Sequence, residues 1–243
     1  MVSRGYGKCD PSNPKNRRLR TSLMVTHNNK NILFDTGPDL REQLLAANIN
    51  VLEAVVYTHE HADHTHGLDD LREINRVTEQ GIPIYAGQTT LRHLKDNFSY
   101  AFVPVNVEKE PFYHPWLEPN LITSGAPFHI AGLKITPFAQ DHEFTTSMGF
   151  RIGNFGYSTD AVRLYDSSLS LLKGIDVWVV GCLSDRDHPS HASVRQVLEW
   201  ADIIRPKKTY LTHMSIGLDY ESLKKTLHPE IEPAYDGLEF EVD

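Results

Sequence analysis

Thr58-His59-Glu60-His61-Ala62-Asp63-His64 follows directly on the apolar run Ala54-Val55-Val56-Tyr57, and these two stretches decide how the chain is read. The apolar run is short and β-branched, the signature of a buried strand. Three histidines and a carboxylate therefore stand where a strand ends and a loop begins. In extended backbone residues two apart share a face, so His59 and His61 point the same way. Asp63 and His64 follow as the chain turns, and Gly67 is expected to permit a tight turn before the helix-like Leu68-Asp69-Asp70-Leu71-Arg72. Imidazole nitrogens with a carboxylate oxygen suit zinc, and also manganese or iron. Four such groups exceed what one catalytic ion takes from a single loop, which points to two ions side by side. As ordinary polar residues, each would need its own buried partner.

The rest of the composition narrows the class. The chain has 243 residues, 40% of them hydrophobic, and a formal net charge of −8. No apolar run approaches the roughly 20 residues of a membrane span, and Met1-Val2-Ser3-Arg4-Gly5 has no apolar signal region. The two cysteines, Cys9 and Cys182, form no framework and no CxxC, so a cytoplasmic location and no membrane partner are expected. The acidic balance disfavours nucleic acid as a partner, since phosphate binding needs a basic surface. One basic cluster, Lys15-Asn16-Arg17-Arg18-Leu19-Arg20, is either solvated surface or a patch near an anionic substrate, with Arg17 and Arg18 as the candidate contacts.

Along the chain, strands are expected at Leu23–Val25 and 31–35, joined by the turn His27-Asn28-Asn29-Lys30. Asp39–Ala47 has helical spacing. Beyond the histidine stretch come a helix to about Arg76, a strand at Ile82–Tyr85 and a helix at Thr89–Asp96. Residues 97–125, with several prolines and aromatics, are expected to be irregular and to form a lid, a substrate wall or a self-packed loop. The second half repeats strand followed by polar residue: Leu133–Phe138 before Asp141-His142, Phe155–Ser158 before Thr159-Asp160, Asp176–Val180 before Gly181-Cys182, and Thr209–Thr212 before His213. Met148–Ile152 is a further strand. Helices are expected at Tyr165–Lys173, Ala192–Ile204 and Tyr220–Leu227, and a closing strand at Leu238–Val242. With no repeat or linker, residues 1–243 read as one domain.

His59, His61, Asp63, His64, His142, Asp160 and His213 form an H-x-H-x-D-H motif followed by a single His, Asp and His. In this order they resemble the metallo-β-lactamase-fold hydrolase superfamily, over nearly the whole chain from about residue 21. Phe34-Asp35-Thr36-Gly37 resembles that family's first motif, whose Asp braces the metal loops. Within the superfamily the chain is most similar to the PhnP-like branch, the phosphoribosyl cyclic phosphate phosphodiesterases. The marks are Thr65-His66-Gly67-Leu68-Asp69-Asp70-Leu71-Arg72 after His64, Tyr157-Ser158-Thr159-Asp160, and the extra His191 in Ser190-His191-Ala192-Ser193. The resemblance implies an α/β (α+β) fold, a four-layer αβ/βα sandwich of two mixed sheets flanked by helices. Family members usually begin with an apolar strand and a Gly/Ser-rich loop. Here the residues before Cys9 are not strand-like, so that strand is expected to be lacking. A structural zinc site with paired cysteines is not carried over, because Cys9 stands alone in its region.

The resemblance also implies a division of labour. One divalent ion, zinc or manganese, falls to His59, His61 and His142, a second to Asp63, His64 and His213, and Asp160 bridges them. Asp63, Asp160 and His191 become the catalytic residues, with His191 the group that protonates or neutralises a leaving oxygen; the bland alternative for His191 is a helix-start residue. His188 is a candidate neighbour of His191, and Glu60 either orients a ligand or faces solvent. The expected activity is hydrolysis of a small, nucleotide-like or sugar phosphodiester, cyclic or linear. The competing readings are tRNA 3′-end processing, thioester hydrolysis of the glyoxalase II type, and a non-catalytic metal-binding module. The expected partners are the small phosphorylated substrate and a second copy of the chain.

Overall fold

The computed structural model describes residues 5–106 and 113–242. The chain divides into two compact units, Arg20–Lys134 and Met1–Leu19 with Ile135–Asp243. Each is built around one mixed sheet with helices against it. Among the described residues no helix is long and apolar enough to cross a membrane.

In the unit Arg20–Lys134 the strands are β1 (Leu23–His27), β2 (Lys30–Phe34), β3 (Ala54–Val56), β4 (Ile82–Ala86) and β5 (Leu117–Leu121), paired in that order. β1 and β2 form an antiparallel hairpin, and β2, β3, β4 and β5 are parallel. Asn28 and Asn29 both take positive φ, 49° and 59°, as a two-residue hairpin turn requires. Helices α1 (Leu40–Ala46), α2 (Ala62–Thr65), α3 (Leu71–Thr78) and α4 (Gln88–Asn97) complete the unit. Leu40 and Leu44 of α1, Leu71 and Ile74 of α3, and Leu91 and Leu94 of α4 share one core with Leu33, Val55 and Ile84 of the strands. Each helix turns its i, i+3 or i, i+4 apolar stripe to the sheet.

A short β6 (Phe128–Ile130) and the first two residues of β7 (Leu133–His142) close the unit Arg20–Lys134; in the other unit the strands are the rest of β7, β8 (Thr145–Ile152), β9 (Phe155–Ser158), β10 (Arg163–Leu164), β11 (Val177–Gly181), β12 (Lys208–Thr212) and β13 (Ile231–Pro233). Their order is β10-β7-β8-β9-β11-β12-β13. The β7-β8-β9 meander is antiparallel, and β9, β11, β12 and β13 are parallel. Helices α5 (Asp166–Leu172), α6 (Val194–Ile204) and α7 (Tyr220–Thr226) bury Leu172, Val197, Trp200, Ile204 and Leu223 against Trp178, Val180 and Leu211.

Three expectations change. The 97–125 stretch is not wholly irregular: it contains β5 and a 3-10 turn at Ser99–Phe102, while residues 107–112 lie outside the described residues. Pro119 disguises β5 in the sequence; β5 is an edge strand, where a missing N–H is tolerated. Leu238–Val242 is not a strand, and the sheet closes instead on β13. Gly67 has an ordinary φ of −99°, so its role is not a special turn. A Cβ there would lie 2.0 Å from the Gly37 carbonyl oxygen, and one on Gly37 would lie 2.4 Å from that of Asp63. Both glycines serve close approach of two loops.

Candidate metal centre

The parallel strands place the polar residues. β2, β3 and β4 run the same way, so Asp35 and His59 emerge at the same edge of their sheet. β7, β9, β11 and β12 likewise end together, which brings His142, Asp160 and His213 to one edge of the other. Carboxyl ends of parallel strands are where open α/β sheets hold their ligands.

In the unit Arg20–Lys134 the organising residue is Asp35, fully buried with φ 63°. Its carboxylate accepts the Thr58 N–H and the Thr58 hydroxyl, both at 2.8 Å, and His64 Nδ1–H at 2.8 Å. The Thr58 hydroxyl directs its proton at Asp35, so it accepts from His59 Nδ1–H, 2.9 Å away. Two Nδ1 protons are thereby fixed, and His59 and His64 turn Nε2 lone pairs outward. The loop itself is clasped: Thr36 N–H donates to the His64 carbonyl and Gly67 N–H to that of Thr36, each at 2.8 Å. His61 stands exposed at the N-terminus of α2 and Asp63 lies in its first turn. Ligand atoms of His59 and His61, and of Asp63 and His64, lie within 4.8 Å of each other. The Glu60 carboxylate accepts from Thr90 Oγ1 of α4 at 3.2 Å.

In the other unit the organising residue is Asp160, 1% exposed and also left-handed, φ 52°. A buried network holds it there. Ser147 Oγ donates to the Asp160 carbonyl at 2.8 Å, Gln140 Nε2 to the Thr159 carbonyl at 2.9 Å, and Thr159 Oγ1 to Asp160 Oδ1 at 2.7 Å. Gln140 and Ser147 are cross-strand partners in β7 and β8. Gly181 leaves room, since a Cβ there would sit 3.1 Å from the Asp160 nitrogen. Three imidazoles converge on the carboxylate: His142 Nε2 at 3.6 Å, His191 Nε2 at 3.2 Å and His213 Nε2 at 3.3 Å. His213, at the end of β12, is left-handed too, φ 54°. Non-glycine residues held in this region at a polar cluster mark a backbone shaped for function.

The donor set fits divalent metal. His142 Nδ1 donates to the Ser190 carbonyl at 2.6 Å, so its Nε2 is the ring nitrogen that carries the lone pair. Its 3.6 Å separation from Asp160 Oδ2, and the same 3.6 Å between His64 Nε2 and Asp63 Oδ2, exceed a hydrogen bond. Two ligands ~2.0–2.2 Å from one tetrahedral ion sit about 3.4 Å apart. His191 differs. A carboxylate only accepts, so the proton in its 3.2 Å contact with Asp160 belongs to His191 Nε2. Its Nδ1 meets Ser190 Oγ at 2.9 Å and His188 Nδ1 at 3.3 Å. Burial and the neighbouring His191 lower the His188 pKa.

The basic cluster lies elsewhere in use. Arg18 Nη2 donates to the Leu218 carbonyl at 2.8 Å and to Asn16 Oδ1 at 3.1 Å, and burial lowers its pKa. It ties the N-terminal segment to the turn before α7. Arg17 is exposed. Cys9, its pKa raised by burial, directs its thiol at the carbonyls of Ile216 and Leu218. Sequence reasoning did not find Thr58, Gln140, Ser147 or the Ser190 carbonyl; nothing in local spacing marks a side chain that acts by holding another.

Residues 30–214 match the β-lactamase superfamily domain. A crystal structure described as a new diphosphatase from the PhnP family superposes with a TM-score of 0.85 at 35% identity, over 93% of this chain and 85% of that one. An octanoyltransferase of Porphyromonas gingivalis is 34% identical over 240 residues, 97% of this chain and 47% of that protein. A ribonuclease Z of Kineococcus radiotolerans is 26% identical over 166 residues, 65% of this chain and 49% of that protein. The chain thus spans about half the length of the curated relatives it matches. From the ligand motif, the two mixed sheets and these matches, the chain belongs to the metallo-β-lactamase-fold hydrolase superfamily, in its PhnP branch.

Proposed function

We propose that the chain hydrolyses a small phosphodiester, nucleotide-like or sugar-based, using two divalent ions. His59, His61 and His142 would hold one ion, Asp63, His64 and His213 the other, and Asp160 both. When bound, such ions lower the pKa of a water and draw charge from a phosphoryl oxygen. The chain's residues do the rest. Asp35, Thr58 and the Ser190 carbonyl fix imidazole tautomers, and the Gln140–Ser147–Thr159 network fixes the Asp160 carboxylate. His191 holds a proton on Nε2, the atom facing the site, in position to meet a departing alkoxide.

That placement of His191 is the observation that carries the reading. An acid outside the metal ligands is of use where a poor oxygen leaving group must depart, and a thioester needs none. The PhnP-family diphosphatase, whose name describes action on a diphosphate, supports the same class. The net charge of −8 weighs against precursor tRNA, which is held through its phosphates. The octanoyltransferase name belongs to a protein of which this chain matches only 47%.

The test is a panel of substrates with metal-loaded protein: bis(p-nitrophenyl) phosphate, 2′,3′-cyclic nucleotides, ribose 1,2-cyclic phosphate, S-lactoylglutathione and precursor tRNA. Turnover of the small phosphodiesters well above the rest is expected. Preference for the thioester or the tRNA overturns the proposal.

A further inference from the structure

The hairpin between β7 and β8 turns in two residues, Glu143 and Phe144, with His142 opposite Thr145 at its mouth. Phe144 is 92% exposed, the most exposed large hydrophobic side chain among the described residues. A ring in that position forgoes the burial from which aromatic side chains ordinarily draw their energy.

The tip is firmly mounted. Glu143 is left-handed, φ 62°, as the first position of a two-residue hairpin turn requires. Its N–H donates to Asp141 Oδ1 at 3.0 Å. The other oxygen of Asp141 takes Arg163 Nη2 at 2.7 Å, and the Asp141 carbonyl takes Val162 N–H at 2.8 Å. β10 thus braces the end of β7. The Glu143 carboxylate also acts electrostatically on His188. An exposed ring on a braced hairpin therefore stands two residues from His142, one of the histidines assigned to the metal that would take the phosphate.

We propose that Phe144 is a stacking platform for the base of a nucleotide-type phosphodiester. This rests on the phosphodiesterase reading and narrows its substrate. A flat apolar face rewards a π-face laid upon it, and every base has one. A ribose, puckered and edged with hydroxyls, offers such a face less than the flat π-system of a base does. The Glu143 carboxylate repels a second phosphate at this point and leaves a neutral base unopposed. The acidic chain does not favour a polynucleotide, so the base belongs to a small molecule.

The test measures binding, in the metal-loaded protein, of adenosine 5′-monophosphate and ribose 5-phosphate by calorimetry. Phe144→Ala is expected to raise the Kd of the nucleotide about 5- to 150-fold, the usual range for one base–aromatic stack. The sugar phosphate should be unchanged, and Phe144→Trp should restore nucleotide binding. Unchanged nucleotide binding in Phe144→Ala, or equal weakening of both ligands, overturns the proposal. So does a wild type that binds both alike. Loss of self-association in Phe144→Ala, with nucleotide binding intact, assigns the ring to a second copy of the chain and also overturns it. A wild type that binds the nucleotide through Phe144 but hydrolyses no diester upholds this inference while removing the catalytic one.

Discussion

Asp160 and His191 show how far a single contact can be pressed. The carboxylate is buried and faces three imidazole Nε2 atoms. Two of those imidazoles belong to the ligand motif, and the third has its proton directed at the site. Removing the third should therefore leave the first two undisturbed. His191→Ala is expected to keep its metal content and to lose roughly 10²–10⁴ in kcat on a diester with an alkoxide leaving group, the range of a positioned acid. With p-nitrophenolate, which departs unprotonated, the loss should shrink towards nothing. Equal losses on both substrates would mean that His191 grips a non-bridging oxygen. Wild-type rates on both would return it to the standing of a helix-start residue. His188 and Ser190 bear on the same proton, since both lie within 3.3 Å of His191 Nδ1, and substituting either should alter the pH profile of kcat more than its maximum.

At the scale of elements, the clasp between the Asp35–Gly37 turn and the motif loop is the vulnerable part. Its two glycines have no side chain because there is no space for one. Gly67→Ala would set a Cβ 2.0 Å from the Gly37 carbonyl oxygen, and one loop must retreat. A cost of at least ~1–3 kcal/mol follows, as for other overpacked sites. The displaced loop carries His64, so metal affinity should fall with stability. A Gly67→Ala protein with wild-type melting temperature and metal content would show the clasp to be dispensable. The same element shows what a sequence discloses. His59, His61, Asp63 and His64 are legible because ligand chemistry demands those residue types at close spacing, and β3 is legible from its apolar run. The close approach of Gly67 is not, because it depends on Gly37, thirty residues away. β5 is hidden by Pro119, which an edge position tolerates. At Leu238–Val242 the alternation is real: Phe240 stacks on Tyr210 with ring centroids 4.9 Å apart. Yet no ladder forms there, since side-chain period alone does not supply a partner for backbone groups. The left-handed turns at Asp35, Asp160 and His213 are equally invisible, for none is glycine.

For the whole molecule the question is what the clustered imidazoles and carboxylates contribute to stability. Asp35, His59, His64, His142 and Asp160 are all essentially inaccessible to water. Burying that many polar groups costs free energy unless each is paired. Divalent ions on the Nε2 atoms and on Asp160 would add to that pairing, and they would bind the folded chain far better than the unfolded one. By linkage, ions at 100 times their Kd stabilise by about 2.7 kcal/mol per site. For a chain of this size each kcal/mol moves the melting temperature by ~2–4 °C. Chelation of metal-loaded protein is therefore expected to lower its melting temperature by roughly 5–10 °C for each site emptied, and zinc or manganese to restore it. Asp160→Ala discriminates between this account and a nonspecific effect of the chelator. With the shared carboxylate gone, ions should be held weakly, so the variant should melt near the chelated wild type and respond little to chelator. Metal loss without a change in melting temperature would show that the fold pairs these groups by itself. An Asp160→Ala protein as chelator-sensitive as wild type would show that the ions are held without that carboxylate.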